Sequence, residues 1–242
     1  MIPRLGILLL AASLLGPAAA AADDSADPRG RGRERGHTVD GVLRALEEKR
    51  EGISGLAARI SRTEKKPDGS GNTEEITLFY RAPDRLRTEI GGARPRRVVI
   101  NGDRMWFFHP TLEVVEQYDL PDEERRQQAM YEMSWGLTSP IMVLVRGMNR
   151  SLEELPSGRL LVNLVPDNDE IQLEEITARI DPARWEIEEM TIRRPGLPAL
   201  HLAVVSWDPD TEPDEGLFSL DVPEGWDVFE AIEDSAPPQV QM

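Results

Sequence analysis

The chain contains no cysteine. That absence excludes disulfide staples, thiolate catalysis, thiolate metal centres and a lipidated N-terminal cysteine. Histidine is nearly as scarce, with only His37, His109 and His201 present. They fall in three distant stretches. His201 alternates with Ala203 and Val205 on an apolar strand, so it reads as a structural histidine and not as part of a hydrolase triad. There is no His-Glu-x-x-His pair, no Gly-rich phosphate loop and no serine elbow. The acidic run from Asp208 to Gly216, DPDTEPDEG, carries Pro213 where a calcium loop needs a sharply turning glycine, and it reads as a solvated turn. Positive charge is in the minority: 28 Lys and Arg stand against 44 Asp and Glu, a formal charge of −16. Such a surface repels nucleic acid and acidic membranes. Nothing here calls for a metal or other cofactor, and the chain is read as a binding protein rather than an enzyme.

Long apolar runs are missing too, with one exception at the N-terminus. Arg4 precedes an apolar stretch from Leu5 to Leu15, followed by Gly16-Pro17 and the alanines Ala18 to Ala22. The stretch falls short of the ~20 residues of a membrane helix and ends in an Ala-x-Ala pattern, so residues 1–22 are read as a signal peptide. The expected location is the periplasm, as a monomer. Residues 23–37, rich in Asp, Pro, Gly and Arg, lack apolar periodicity and are expected to form a disordered leader, as are residues 231–242 a disordered tail. Residues 38–230 are expected to form one domain.

Within that domain Thr38 suits the cap of a helix over Val39–Glu51, with Val42, Leu43 and Leu46 on one face and Gly52 as its stop. Strands are expected at Leu56–Thr63, Glu75–Arg81, Arg85–Ile90, Arg97–Ile100, Arg104–Phe108 and Leu112–Tyr118. Asp-Gly, Pro-Asp, Gly-Gly and Asn-Gly signals separate them. Leu78 and Tyr80 share a face, as do Leu86, Thr88 and Ile90. The run from Val98 to Pro110, VVINGDRMWFFHP, carries the most information. Asn101-Gly102 suits a type I′ turn. The strand after it is apolar on both faces, with Met105 and Phe107 opposite Trp106 and Phe108, so both of its sides should be covered. Nearby Arg94, Arg96 and Arg97 make a basic patch that solvates a strand end or forms a docking contact.

After Pro121 the period changes. Asp122, Glu123 and Glu124 suit a helix N-terminus, with Met130, Met133 and Leu137 on one face and Trp135 beside them. Ser139-Pro140 then begins an apolar run of Ile141, Met142, Val143, Leu144 and Val145, which should be buried all round. Further strands are expected at Arg159–Val165, Ile171–Ile180, Trp185–Arg193, Leu200–Trp207 and Leu217–Val222. Odd spacings from Leu173 to Ile176 and from Ile187 to Met190 predict bulges near Glu174 and Glu188. The expected fold is α+β: a strongly curved antiparallel sheet of about eleven strands forming an unclosed β-barrel, with about three helices covering its concave face.

The order of these parts resembles the periplasmic lipoprotein carrier family, LolA, from about Thr38 to Val228. The resemblance rests on LFYRAPDRLRTEI, on VVINGDRMWFFHPTLEVVEQYDL, on SPIMVLV, similar to the apolar helix that serves the family as a lid, and on the closing LFSLDVPEGWDV. It implies a carrier that receives lipoproteins from an inner-membrane ABC transporter, shields their acyl chains and passes them to an outer-membrane receptor. The acyl cavity and lid would be lined by Leu78, Tyr80, Leu86, Ile90, Trp106, Phe108, Met130, Met133, Trp135, Ile141, Met142 and Leu144. The family often has an arginine just before the strand's proline. Here that position is Ala82, and Arg81 lies one residue earlier. A sensor of lipids or lipoproteins with the same fold is the second reading.

Overall fold

The computed structural model of the protein describes residues 36–66, 70–134, 137, 141–168 and 173–230. The signal peptide, nearly all of the leader, Trp135, Ser139-Pro140 and the tail lie outside these residues. Alternating apolar positions produce β1 (Gly55–Lys65), β2 (Gly71–Arg81), β3 (Arg85–Ile90), β4 (Arg96–Asn101), β5 (Arg104–His109) and β6 (Val114–Asp119). After the helices come β7 (Met148–Glu154), β8 (Leu160–Pro166), β9 (Glu175–Asp181), β10 (Glu186–Arg193), β11 (Ala199–Asp208) and β12 (Asp227–Glu230). They form one sheet in the order β12-β6-β5-β4-β3-β2-β1-β11-β10-β9-β8-β7. Its pairings are antiparallel except for β12, which runs parallel to β6. The end strands β7 and β12 do not meet, so the sheet is unclosed, as expected.

Several local features differ from the sequence reading. The β4–β5 turn lies one residue further on, because Asn101 pairs with Arg104 and leaves Gly102-Asp103 as the central pair. Gly102 has φ +65° while Asp103 does not share the positive φ, which is the II′ pattern and not I′. Glu188 is a bulge, as its spacing predicts, since Ile187 pairs with Ile180 and Glu189 with Arg179. No bulge forms at Glu174. β9 begins only at Glu175, so Leu173 precedes the strand and no face is reversed. A bulge that the spacing did not announce sits where Arg59 pairs with Ser206 and Ile60 with Val204, leaving Val205 extra.

β7 was not expected, because its seven residues MNRSLEE offer little apolar alternation. Leu217–Val222 is not a strand. A 3₁₀ turn, Glu215–Phe218, begins there under the Asp214 cap. Its carbonyls are met by side chains of the sheet: Arg87 Nη1 donates to Leu217 O at 3.0 Å and Asn101 Nδ2 to Phe218 O at 3.1 Å. Once those acceptors are satisfied, no ladder is needed.

Helix α1 (Val39–Arg50) starts where Thr38 Oγ1 accepts from Gly41 N at 3.2 Å. Helix α2 (Glu123–Met133) starts where Asp122 Oδ1 accepts from Arg125 N at 2.8 Å. The short α3 (Ile141–Leu144) is a single turn. Among the described residues no helix is long and apolar enough to cross a membrane.

Three apolar clusters hold the elements together. α2, through Ala129, Met130 and Met133, packs on Leu56, Ile60, Ile76, Leu78, Leu86, Ile90, Ile100, Met105 and Phe107. α1 and α3, through Val42, Leu43, Leu46, Ile141 and Val145, pack on Leu160, Val162, Leu164 and Ile180. The opposite side of the sheet buries Val99, Phe108 and Val115 under Phe218 and Trp226. A fully buried side chain such as Ile76 or Leu78 contributes about 1.5–3 kcal/mol by leaving water.

Candidate functional site

The helix-covered face is built by register. Leu86 lies opposite Tyr80 and Ile100, Ile90 opposite Ile76, and Met105 opposite Ile100. Period-two alternation therefore places one apolar row of each strand beneath α2. α2 itself is mostly polar. It touches the sheet through Ala129 and the unbranched Met130 and Met133, which repack easily around a changing neighbour. Thr88, buried in the same row, donates from Oγ1 to Met133 O at 3.1 Å and so fastens the C-terminal end of α2 to the sheet. Beside this bond, burial pushes the Glu132 carboxyl up from its ordinary range, with Gln128 Nε2 opposing by donating to it at 3.0 Å.

A narrow seam beside α1 is lined by Leu46 and Lys49 of α1, Ile53, Leu137, Ile187 and Trp207. Its volume is about 20 Å³, room for about one water molecule. Burial lowers the Arg50 guanidinium there to about 10, against the opposing pull of Glu47, so it stays charged at neutral pH. A larger groove of about 470 Å³ lies between the outer side of α1 and Met142, but Asp40, Arg44, Glu47 and Glu48 line it. Those charges suit water or a polar partner and not a hydrocarbon chain. Neither of these two spaces is suited to an apolar chain.

The structure divides the residues expected to line the cavity. Leu78, Tyr80, Leu86, Ile90, Met130 and Met133 do come together on the helix-covered face. Trp106 and Phe108 do not. They lie on the other side, with ring centroids 6.2 Å apart, and Phe108 faces Trp226 at 6.4 Å. The pair of β5 residues beneath α2 is Met105 and Phe107, the latter edge-on to Tyr118 at 5.8 Å. Ile141 is buried against α1 and not among the residues under α2. Met142 is not buried all round as its run predicts. It is 44% exposed at the charged groove, because a single turn has one inward side and Ile141 and Val145 occupy it. Trp135 lies outside the described residues, and of Leu144 only the backbone, in α3, is described.

Arg81, one residue before the position of the family arginine, reaches away from α2. Its Nη1 donates to Pro213 O at 3.4 Å and its Nη2 lies 3.5 Å from Glu212. His201 behaves as a structural residue: its Nδ1 is 2.9 Å from Thr191 Oγ1 on the neighbouring strand, and burial lowers its pKa.

Sequence reasoning missed a row of ionisable groups along one end of the helix-covered face. Arg62, Glu74 and Arg96 belong to it, as does Glu116, whose Oε2 accepts from Tyr118 Oη at 2.7 Å and whose Oε1 lies 3.3 Å from His109 Nε2. Burial and the Glu116 bond push the Tyr118 hydroxyl up. The signal was present in β1 and β2. Arg62 and Glu74 fall on the apolar parity of Ile60 and Ile76, where alternation alone would place another apolar pair.

The protein is thus an unclosed, mostly antiparallel sheet with an apolar stretch under helices. The resemblance to the lipoprotein carrier family extends to whole-chain comparison. An outer-membrane lipoprotein carrier protein of Alkalilimnicola ehrlichii is 28% identical over 192 residues, which cover 74% of this chain and 79% of that one. An uncharacterized conserved protein of Thermus thermophilus shares the fold, with a TM-score of 0.51 and 12% identity over 79% of this chain and 98% of its own. A LolA superfamily protein of Nitrosomonas europaea aligns with a TM-score of 0.39 and 9% identity, over 75% of this chain and 98% of its own. No family model matches the chain.

Proposed function

We propose that the protein is a periplasmic carrier that takes lipoprotein acyl chains onto the face under α2 and transfers lipoproteins from the inner to the outer membrane. Loading would come from an inner-membrane ABC transporter and release would go to an outer-membrane receptor. The observation that carries this reading is the cover itself: a largely polar helix that rests on an apolar stretch of the sheet through Ala129, Met130 and Met133. The 28% identity to a lipoprotein carrier points the same way. Each exposed CH₂ of a cargo chain costs about 0.8 kcal/mol in water, so a long acyl chain cannot cross the periplasm unshielded. Leu78, Leu86, Ile90, Met105 and Phe107 form the floor in this account, and α2 is the part that lifts.

Depletion of the protein followed by membrane fractionation tests the role. Lipoproteins should accumulate in the inner membrane, and normal delivery to the outer membrane in depleted cells would refute the carrier reading. The site has its own test. A fluorescent fatty-acyl probe should bind the wild type, and Met133→Glu, which places a charge between α2 and the floor, should abolish that binding. Undiminished binding by a folded variant would place the acyl site elsewhere.

A further inference from the structure

The two end strands of the sheet present different edges. β7 exposes Asn149, Arg150, Ser151, Glu153 and Glu154, and Arg150 Nη1 is held by Asp40 of α1 at 2.8 Å. Polar and charged side chains of this kind keep a sheet edge from recruiting a further strand. β12 instead carries Val228 and Phe229 at its centre, 47% and 54% exposed. Leu112, 69% exposed, stands next to Glu113, whose carbonyl accepts from Asp227 N at 3.0 Å. That bond fixes which way the backbone of β12 faces, since successive residues of a strand direct their N–H and C=O groups to alternate sides. Asp227 and Phe229 serve β6, whereas Val228 and Glu230 turn their backbone groups outward, toward no other described strand.

The charges along this edge are of one sign. β6, β12 and the turns that lead into them carry Glu113, Glu116, Asp119, Glu224, Asp227 and Glu230, and no Lys or Arg. From β5, His109 Nε2 lies 3.3 Å from Glu116 Oε1 and Arg104 lies opposite Asp119. Among the described residues no Lys or Arg forms an ion pair with Glu113, Glu224, Asp227 or Glu230. The outward side of β12 thus combines two free sets of backbone groups, an apolar pair and a carboxylate at each end of that pair.

We propose that the free edge of β12 is a docking site for an extended segment of another protein, one that carries two apolar residues between basic ones. The segment adds one antiparallel strand. Its backbone bonds Val228 and Glu230, its apolar pair lies against Val228 and Phe229, and its basic residues lie opposite Asp227 and Glu230. Other occupants fit less well. A second copy of this chain would bring a further charge of −16, and pairing Phe229 with its own counterpart would set Val228 against Glu230. The residues after Glu230 are also poorly suited: Ala231-Ile232-Glu233 holds no Gly or Asn for a hairpin loop of two or three residues, and a loop of four or five would bring Pro237 or Pro238, which have no N–H, opposite Val228.

Titration of the full chain with a fluorescein-labelled peptide, Ser-Lys-Tyr-Val-Lys-Ser, tests this, with hydrogen exchange read at the amides of Val228 and Glu230. The peptide should bind and slow exchange at both amides. Its counterpart with Glu in place of each Lys should bind about tenfold more weakly, because two exposed cross-strand pairs change from attraction to repulsion. Val228→Pro removes an outward N–H, leaves the bonds to β6 in place and should abolish binding. Asp227→Lys combined with Glu230→Lys keeps every backbone group and should reverse the preference between the two peptides. Equal affinity for the two peptides, undiminished binding by Val228→Pro, or exchange at Val228 and Glu230 that neither peptide slows would overturn the docking site. Protection of those amides without peptide would overturn it as well. Protection that rises with protein concentration would put a second copy on the edge, and protection independent of concentration would put the chain's own C-terminal residues there. The acyl site under α2 stands or falls separately, by the fatty-acyl probe.

Discussion

The two faces of β5 lie under different kinds of cover. Trp106 and Phe108 lie beneath the 3₁₀ turn and Trp226, and that cover is pinned by polar bonds. Arg87 and Asn101 donate to its carbonyls, Arg85 pairs with Glu215, and Arg97 stacks on Phe108. Met105 and Phe107 lie beneath α2, which meets the sheet through two methionines and an alanine and is tied by the Thr88 bond to Met133 O and by Arg126 Nη1, which donates to Leu120 O at 3.4 Å. Directional bonds hold one geometry, whereas thioether contacts cost little to rearrange. The side under α2, with fewer such bonds, is the one that the proposed function requires to open.

Truncating the two phenylalanines should break this comparison most visibly. Phe108→Ala and Phe107→Ala should each cost about 3–5 kcal/mol in chemical denaturation, because both rings are buried. Their effects on binding should differ. Phe108→Ala should leave the affinity for an acyl probe within about twofold, while Phe107→Ala should change it severalfold, the floor being part of the site. Equal effects on the probe would mean that the two faces are not functionally distinct.

Thr88→Val should have a smaller effect, about 1 kcal/mol, since it removes one buried hydrogen bond and keeps the shape. Stopped-flow mixing with the probe should show faster entry, because α2 is less firmly fastened. Unchanged entry would place the moving part elsewhere.

The smallest effect should come from pH. Burial raises the Glu132 carboxyl, so the folded state holds this proton more tightly than the unfolded chain does. Its contribution to stability is present below the ordinary carboxylate range and is lost as pH rises through that range to the raised folded value. Glu132→Gln should therefore flatten the melting temperature against pH across that window. A profile unaltered by the substitution would show that Glu132 does not load α2.

Much of the fold was legible because it depends on neighbours in the chain. The Thr38 and Asp122 caps, the meander from β1 to β6 and the Glu188 bulge each follow from spacing over a few residues. What was misread depends on distant partners. β7 takes its strand form from pairing with β8, not from its own polar sequence. Leu217–Val222 loses its strand form because Arg87 and Asn101, more than a hundred residues earlier, satisfy its carbonyls. Of the residues expected to line the cavity, those of β2, β3 and α2 share the face under α2, as their periodicity implies. Periodicity did not decide between the two faces of β5, and Trp106 and Phe108 lie on the side away from α2.

By itself the sequence determined which side chains of each strand share a face, because alternation is a local property of the extended backbone. It determined equally that both faces of β5 are apolar and require covers. Alternation is symmetric between the two sides, so only the tertiary structure decided that α2 covers Met105 and Phe107 while the C-terminal segment covers Trp106 and Phe108. The register across β1, β2, β3 and β4 likewise decided which charges meet at the end of the apolar face.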